Sequence, residues 1–330
     1  MVRGQPPRVS DANEVTGPVA AGDRDSNLMA QRFIGVDVGG TKVSVAVLEG
    51  SQLSEPTLRP TVLSSSQGLI DQLAALIEEA GPADAVGIGV PSVVDFATGM
   101  ARHSVNVPLQ DVPLRRILTE RLRRPVFVDN DATVAALAEA HDDALHPIAQ
   151  SLVLFTIGTG VGGGIVIGGR IYRGATGGAA ELGHQLIGAD LADGGPPHSD
   201  EAPQPGSLER LAAGRALDAL GRDRGFVDGP AVVTAARAGD AAALEAIHIL
   251  GERLGVGIAN AINVFDPEQI VIGGGVSAAG ELLLEPARAV ARRFVLPGVG
   301  TRTEIRLARY GPKAGVRGAA LLASQEVLNS

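Results

Sequence analysis

The sequence predicts an α/β protein of two domains, each a sheet with helices packed against it. Three observations lead there. The chain has 330 residues, enough for two domains of roughly 150 residues each. Short apolar runs of strand length alternate with segments whose apolar residues recur at helical spacing. The opening unit FIGVDVGGTKVSVAVLEG (33–50), a strand, a glycine turn and a strand, recurs as SLVLFTIGTGVGGGIVIGG (151–169). The similarity is local and does not by itself establish a duplication.

Taken in order, residues 1–31 are polar, rich in Gly, Pro, Asp and Ser, and without sustained periodicity, so they read as a disordered leader. Met29 just before the first strand makes a later start site a hypothesis. Strands follow at 33–38 and 43–48, with a third around 57–63. In 68–80, Leu69, Leu73, Leu76, Ile77 and Ala80 share one helical face. DAVGIGV (84–90) reads as a buried strand, and 112–123 as an amphipathic helix with Leu114, Ile117, Leu118 and Leu122 aligned. PVFVDNDATVAALAEA (125–140) is strand, acidic turn, helix. After the second glycine hairpin, the Gly-, Pro- and Asp-rich stretch 188–206 predicts a mobile loop. Helices are expected at 207–220, 230–238 and 240–264, then strand, glycine turn and helix over 268–293. A strand near 303–309 and a helix over 314–327 complete the chain. The domains divide as 32–141 and 142–312.

Composition narrows the function classes. Hydrophobic residues make up 45% and aromatics only 3%, so the cores must be built from Ala, Val, Leu and Ile. A net charge of −9 disfavours nucleic acid as a partner, because phosphate backbones select basic faces. It leaves open a nucleotide held by backbone amides. With 0 cysteines there are no disulfides and no thiolate metal sites. The sequence has no apolar run of membrane-spanning length and no signal-peptide core, which predicts a cytoplasmic protein without a membrane partner.

Three phosphate-loop readings compete at the glycine turns. A P-loop needs G-x-x-x-x-G-K-[ST] opening a helix; here Thr41 precedes Lys42 and a β-branched run follows. Gly158, Gly160 and Gly163 spell the dinucleotide pattern G-x-G-x-x-G, but a strand follows them where that pattern needs a helix N-terminus. The third reading is a pair of β-hairpins that cradle phosphate with backbone N–H groups, glycine permitting the close approach. Either hairpin alone reads as an ordinary glycine turn; the pair favours phosphate. Asp37, an acid inside an apolar run where an unpaired charge is costly, would then face a metal–phosphate cluster. Lys42 is one of two lysines, with Lys313, and reads equally as a solvated turn residue or a point charge for phosphate.

Asp129-Asn130-Asp131 ends a strand and opens a helix. One such residue suffices as an N-cap. Three at a strand's carboxyl end lie where open α/β sheets bind ligands, and a carboxylate there can accept a hydroxyl proton during phosphoryl transfer. Glu181-Leu182-Gly183-His184 has no helical period and reads locally as a polar loop. Ser207 reads as an N-cap, with Glu209 complementing the helix dipole.

Together these motifs resemble the ROK family (repressors, open reading frames, kinases) of the actin-like ATPase superfamily, and most of all its ATP-dependent glucokinases. The resemblance covers about 32–328. It rests on Asp37–Lys42, on Gly89-Val90-Pro91-Ser92-Val93-Val94-Asp95, on Asn130-Asp131-Ala132, on Thr156-Ile157-Gly158-Thr159-Gly160, on Glu181–His184 and on Gly273-Gly274-Gly275. It implies two actin-like (ribonuclease H-like) α/β domains around an interdomain cleft, and a final helix returning to the first domain. It implies that ATP donates its γ-phosphoryl group to the 6-hydroxyl of a hexose, glucose first, with Asp131 as base. Asn106, Asn130, Glu181, His184 and Glu209 would hydrogen-bond the sugar. Asp37 would orient Mg²⁺ through water; Gly39, Gly40, Thr41, Lys42, Gly158, Thr159 and Gly160 would hold phosphate; Gly274 and Gly275 would border the nucleotide. A homodimer is implied as well.

Two departures stand out. The family's zinc site joins the His of E-x-G-H to three cysteines, and here Pro205-Gly206-Ser207-Leu208-Glu209 aligns with its end, so no zinc is expected. His198, Asp200 and Glu201 read as a solvated loop or a substitute site. Ser92 stands where glycine is usual, and a side chain there would narrow the sugar pocket. Other readings remain: a sugar-sensing repressor, which 1–31 is too short and polar to equip with a DNA-binding helix pair; a non-catalytic sugar binder; a kinase for N-acetylmannosamine, N-acetylglucosamine or fructose; or polyphosphate as donor.

Overall fold

The two apolar runs around the first glycine turn form the antiparallel strands β1 (Arg32–Val38) and β2 (Lys42–Glu49), paired from Arg32↔Glu49 to Val38↔Val43. The computed structural model describes residues 31–104, 106–189, 191, 194–196 and 198–328. The expected leader lies outside the described residues apart from Gln31. Next come β3 (Gln52–Leu53), β4 (Thr57–Pro60), α1 (Ser66–Glu79), β5 (Ala85–Val90), β6 (Ser92–Asp95), β7 (Met100–Ser104), α2 (Leu114–Leu122), β8 (Val126–Asn130) and α3 (Asp131–Glu139). The first sheet has the order β3-β2-β1-β5-β8, with β4 also on β2. β1, β5 and β8 run parallel, so Asp37, Gly89 and Asn130 end neighbouring strands on one edge.

The second sheet is built from β9 (Ser151–Ile157), β10 (Val161–Ile167), β11 (Arg170–Ile171), β12 (Gln269–Gly273) and β13 (Glu304–Leu307), in the order β11-β10-β9-β12-β13. Its outer face carries α4 (Leu208–Ala212), α5 (Gly214–Arg222), α6 (Gly229–Arg237), α7 (Ala241–Phe265) and α8 (Glu281–Phe294). The first sheet's outer face packs on α1 and α2 through Leu69, Leu73, Ile77, Leu114 and Leu118. The result is a mixed α/β molecule of two lobes.

Between the sheets lie α3 and the last helix, α9 (Ala314–Leu328). Both are apolar nearly all round, the mark of a helix with no solvent face. α9 packs on the first sheet so closely that a Cβ at Gly35 or Gly87 would overlap the carbonyls of Val316 or Ala319. α3 crosses α9 where Gly318 meets the Val134 carbonyl, and its other side rests on Gly162 and Gly164 of β10. With few aromatics, the layers close by backbone approach and alanine packing rather than by bulky side chains.

Several elements differ from the sequence expectation. The helix over 207–220 is two helices, because Ala213 is extended (ψ 173°) and the Gly214 N–H donates to the Gly158 carbonyl at 2.7 Å instead of continuing the first helix. The strand at 57–63 stops at Pro60. A one-turn 3₁₀ segment, Gly275–Ala279, separates β12 from α8. The hairpin of β6 and β7 was not foreseen; its strands are too short for a periodic signal.

Adding a methyl at the helix crossing tests this architecture. Gly318→Ala forces Cβ into the Val134 carbonyl, and overpacking a closed interior costs about 1–3 kcal/mol or more. Its urea midpoint should fall accordingly, while Gly225→Ala, where a Cβ meets nothing within 4 Å, should lose only the smaller cost of its left-handed backbone.

Candidate active site

Each glycine turn closes with one internal bond. In the first, the Gly39 N–H donates to the Lys42 carbonyl at 2.9 Å, and Thr61 Oγ holds the Gly39 carbonyl at 2.7 Å. Thr41 and Lys42 at its tip are exposed. In the second, the Gly158 N–H donates to the Gly160 carbonyl at 2.9 Å. Glu209 Oε2 accepts from the Val161 N–H at 2.7 Å and lies against Gly160, where a Cβ would collide with it. Gly274, at φ 84°, packs on Ile157, and Ser277 Oγ donates to its carbonyl at 2.7 Å. The second hairpin, the loop after β12 and the start of α5 therefore converge.

Asp131 opens α3. It lies beside Gly89 of β5, and the next residue, Ala132, packs on Gly162 of β10, so the start of this helix stands where the two sheets meet. Asn130 is the N-cap: its Oδ1 accepts from the Thr133 N–H at 3.1 Å, and its Nδ2 donates to the Ser92 carbonyl at 3.4 Å. Asp131 Oδ1 accepts from the Ala132 N–H at 2.8 Å. Asp37 reaches the same region from β1, its carboxylate against Gly315 of α9, where a Cβ would come within 2.5 Å of Cγ.

These acids stand close enough for the charge of Asp131 to raise the proton affinity of Asp37. Burial, then the negative charge of Asp131, pushes Asp37 up to about 7 against an offset from Lys42. Burial raises Asp131 as well, the Ala132 N–H opposing it and Glu181 adding to it. Glu181 and His184 flank the 3₁₀ turn Leu182–His184, half-exposed, with His184 Nε2 3.8 Å from Glu181 Oε2. Asn106 is exposed and packs against Gly40 of the first turn. The expected residues thus gather around two hairpins and the start of α3.

Two placements depart from expectation. Ser92 does not reach into a pocket: its hydroxyl donates to the His103 carbonyl at 2.8 Å, fastening β6 to β7, and the residue is buried. Glu209 commits one carboxylate oxygen to the hairpin backbone. Sequence reasoning also missed Arg173, whose Nε donates to Asp129 Oδ2 at 2.7 Å. An arginine 44 residues from its partner, in a glycine-rich stretch, leaves no periodic signal. Among the described residues no group of three or more His, Asp or Glu could hold a metal ion.

Glycine hairpins from both lobes beside a strand-end carboxylate define a phosphotransferase of actin-like architecture. The ROK family profile matches residues 33–326. A glucokinase of Halalkalibacterium halodurans is 35% identical over 320 residues, 89% of this chain and 95% of that protein. Among solved structures, a ROK hexokinase from Thermus thermophilus is similar at 35% identity and a TM-score of 0.75, covering 91% of this chain and 100% of that one. A ROK family glucokinase from Streptomyces griseus, in complex with glucose and AMPPNP, is similar at 32% identity and a TM-score of 0.72, with 89% and 99% covered. The chain belongs to the ROK family; it is an ATP-dependent sugar kinase, most like the bacterial glucokinases.

The raised carboxylates give a pH signature. A native state that binds these protons more tightly than the unfolded chain gains stability as pH falls from above the folded value toward the ordinary carboxylate range. The ligand-free protein should therefore melt higher at about pH 5 than at about pH 8, and Asp37→Asn should shrink that difference. Calorimetric scans giving the same pH slope for both proteins would exclude Asp37 as a contributor.

Proposed function

We propose that the chain transfers the γ-phosphoryl group of ATP to the 6-hydroxyl of glucose, with Asp131 as the general base. The observation that carries this reading is the position of Asp131, which opens α3 beside Gly89 of β5, next to Ala132 packed on Gly162 of β10 and close enough to act on Asp37, with its carboxylate made more basic by burial. A base of raised proton affinity takes a hydroxyl proton more readily as the oxygen attacks phosphorus. Asn106, Asn130, Glu181, His184 and Glu209 are assigned to the sugar. Carboxylates accept strongly from hydroxyl donors, and the free Oε1 of Glu209 and the half-exposed Glu181 suit that task. The hairpin residues 39–42 and 158–160 are assigned to phosphate, and Gly274 and Gly275 to the nucleotide.

The donor set fits Mg²⁺. Asp37 and Asp131 are hard oxygen ligands whose mutual repulsion a divalent cation would relieve. Asp37 would hold the metal, through water, and the bound ion would offset charge on the transferring phosphoryl group. The chain's own residues do the rest. Backbone N–H groups at the hairpin tips, other than those of Gly39 and Gly158 that close the turns, fix the phosphates, Asp131 accepts the proton at its carboxylate, and closure of the lobes excludes water. We place the reaction in the cytoplasm and in a homodimer, a reading that rests on the family resemblance; no helix among the described residues is long and apolar enough to cross a membrane.

A coupled assay over glucose, mannose, fructose and N-acetylated hexosamines, with ATP and with polyphosphate, tests the assignment. Glucose with ATP should give the highest kcat/KM. Asp131→Asn should lower kcat by about 10²–10⁴-fold while glucose binding, read by calorimetry, stays within a few-fold. Full activity in that variant would remove Asp131 from the role, and absence of sugar-dependent ADP formation would remove the glucose reading.

A further inference from the structure

We propose that Arg173 is a positioning residue for phosphoryl transfer: reaching over from the second lobe, it clamps Asp129, and through Asp129 the Asn130–Asp131 turn, in the first. The inference rests on the reading of Asp131 as base. Arg173 follows β11 in the second sheet, yet its contacts lie on elements of the first lobe. Its Nε donates to Asp129 Oδ2 at 2.7 Å. Its guanidinium lies 3.5 Å from the centroid of the Phe96 ring, in the turn between β6 and β7. Its Nη2 stands 3.7 Å from Glu326 Oε1, near the end of α9.

One planar cation thus joins three first-lobe elements by three kinds of contact. Lysine cannot reproduce that combination, because it lacks both the fork and the flat face. The segment carrying Arg173 is seated as well, for Gly177 has its backbone against the Val94 carbonyl of β6, at φ 83°.

Asp129 converts the clamp into control of the site. It is 2% exposed, and its two carboxylate oxygens have different partners. Oδ2 takes the arginine; Oδ1 accepts the N–H of Asn130 at 2.9 Å. That N–H belongs to the Asp129–Asn130 peptide, one residue before Asp131. With Arg173 gone, a buried carboxylate is left without its cation. It must rotate, which releases the Asn130 N–H, or take up a proton, which weakens the bond that N–H makes to Oδ1. The base then loses the fixed approach to the sugar hydroxyl on which in-line transfer depends, although Glu181, His184 and Glu209, assigned to the sugar, stay in place. Because the arginine belongs to one lobe and the carboxylate to the other, the position of the base is tied to the relation between the lobes.

Steady-state kinetics and sugar-binding calorimetry on the full chain test this with Arg173→Ala, Arg173→Lys, Asp129→Asn and the double variant Arg173→Ala/Asp129→Asn. Arg173→Ala should lower kcat by about 10–100-fold, the scale of a small misplacement of a reacting group, with glucose Kd changed less than about threefold. Arg173→Lys should fall between it and the parent. The double variant should lose no more than the worse single variant, since the pair acts as a unit. Wild-type kcat in Arg173→Ala, or losses that multiply in the double variant, would overturn the proposal. If Arg173→Ala does not fold, Arg173→Lys and Asp129→Asn decide: wild-type kcat in both overturns it, and a kcat loss with sugar binding retained supports it. Asp131→Asn run alongside separates the two readings. Full activity there defeats the base assignment, whereas an inactive Asp131→Asn beside fully active Arg173 variants defeats the clamp alone.

Discussion

The contact on which this molecule depends is the crossing of α3 and α9 between the two sheets. Gly318 of α9 sits on the Val134 carbonyl of α3, and the spacing there leaves no room for a methyl group. Each helix has charged residues at or against its ends. α3 begins with Asp131 and finishes with Glu139; α9 begins beside Asp37 at Gly315 and finishes near Glu326, which faces Arg173. A packed interior transmits small displacements rather than absorbing them. Fixing one crossing therefore fixes, within the length of a helix, both carboxylates assigned to chemistry and both anchors that join the lobes.

The anchors differ in kind from the acids they support. Glu139 is fully buried at the end of α3, where Arg306 Nη1 donates to it at 2.8 Å and the Arg309 and Tyr310 N–H groups donate at 2.8 and 3.0 Å. Asp129 has Arg173 and a backbone N–H. These carboxylates are compensated, as buried charges must be. Among the described residues no arginine pairs with Asp37 or Asp131: Asp131 accepts from the Ala132 N–H, and Asp37 lies against Gly315 with Lys42 as the cation acting on it. Compensation was available, since arginines are plentiful in the chain, yet the two acids at the cleft lack it. That contrast sets them apart from structural ion pairs and supports the proposed reading of them as groups for a cation and a hydroxyl donor.

Most of the architecture was legible in the sequence because it is written in period. Strands β1, β2, β5, β8, β9, β10 and β12 are apolar runs, and α1, α2 and α7 keep helical spacing over two or more turns. The hairpins were legible because glycine pairs interrupt apolar runs at equal positions in both units. What escaped has no period. The break at Ala213 is made by a distant carbonyl, that of Gly158; the β6–β7 hairpin is fastened by Ser92 to His103; the clamp joins Asp129 to Arg173. Each is a long-range bond between residues whose local context permits many roles. The N-cap reading of Asn130 and the sugar-site reading turned out not to be alternatives, for its Oδ1 serves the cap while its amide group still carries donor capacity.

The segment without cysteines shows how order is achieved by other means. Its two ends are zipped together: Leu186 bridges Ser207, and the Ile187 and Gly188 N–H groups donate to the Gly206 carbonyl at 2.9 and 3.2 Å. Farther out, Gln204 uses both ends of its amide on one residue, accepting from the Ser199 N–H at 2.8 Å and donating to the Ser199 carbonyl at 2.7 Å. The stem continues inward, where the Leu208 N–H donates to the Gln185 carbonyl at 2.8 Å and Asn260 holds the Gln185 side chain at 3.0 Å. Glu181 and His184 lie just before this stem, and Glu209 just after it. Amide and backbone bonds thus tie together the two segments whose acids and histidine are proposed to face the sugar. Such bonds need no metal and no particular redox state. A chain with no thiol can therefore tie the segment of Glu181 and His184 to that of Glu209, because the loop closes at its base through the pairings of Leu186, Ile187, Gly188 and Leu208 with Ser207, Gly206 and Gln185.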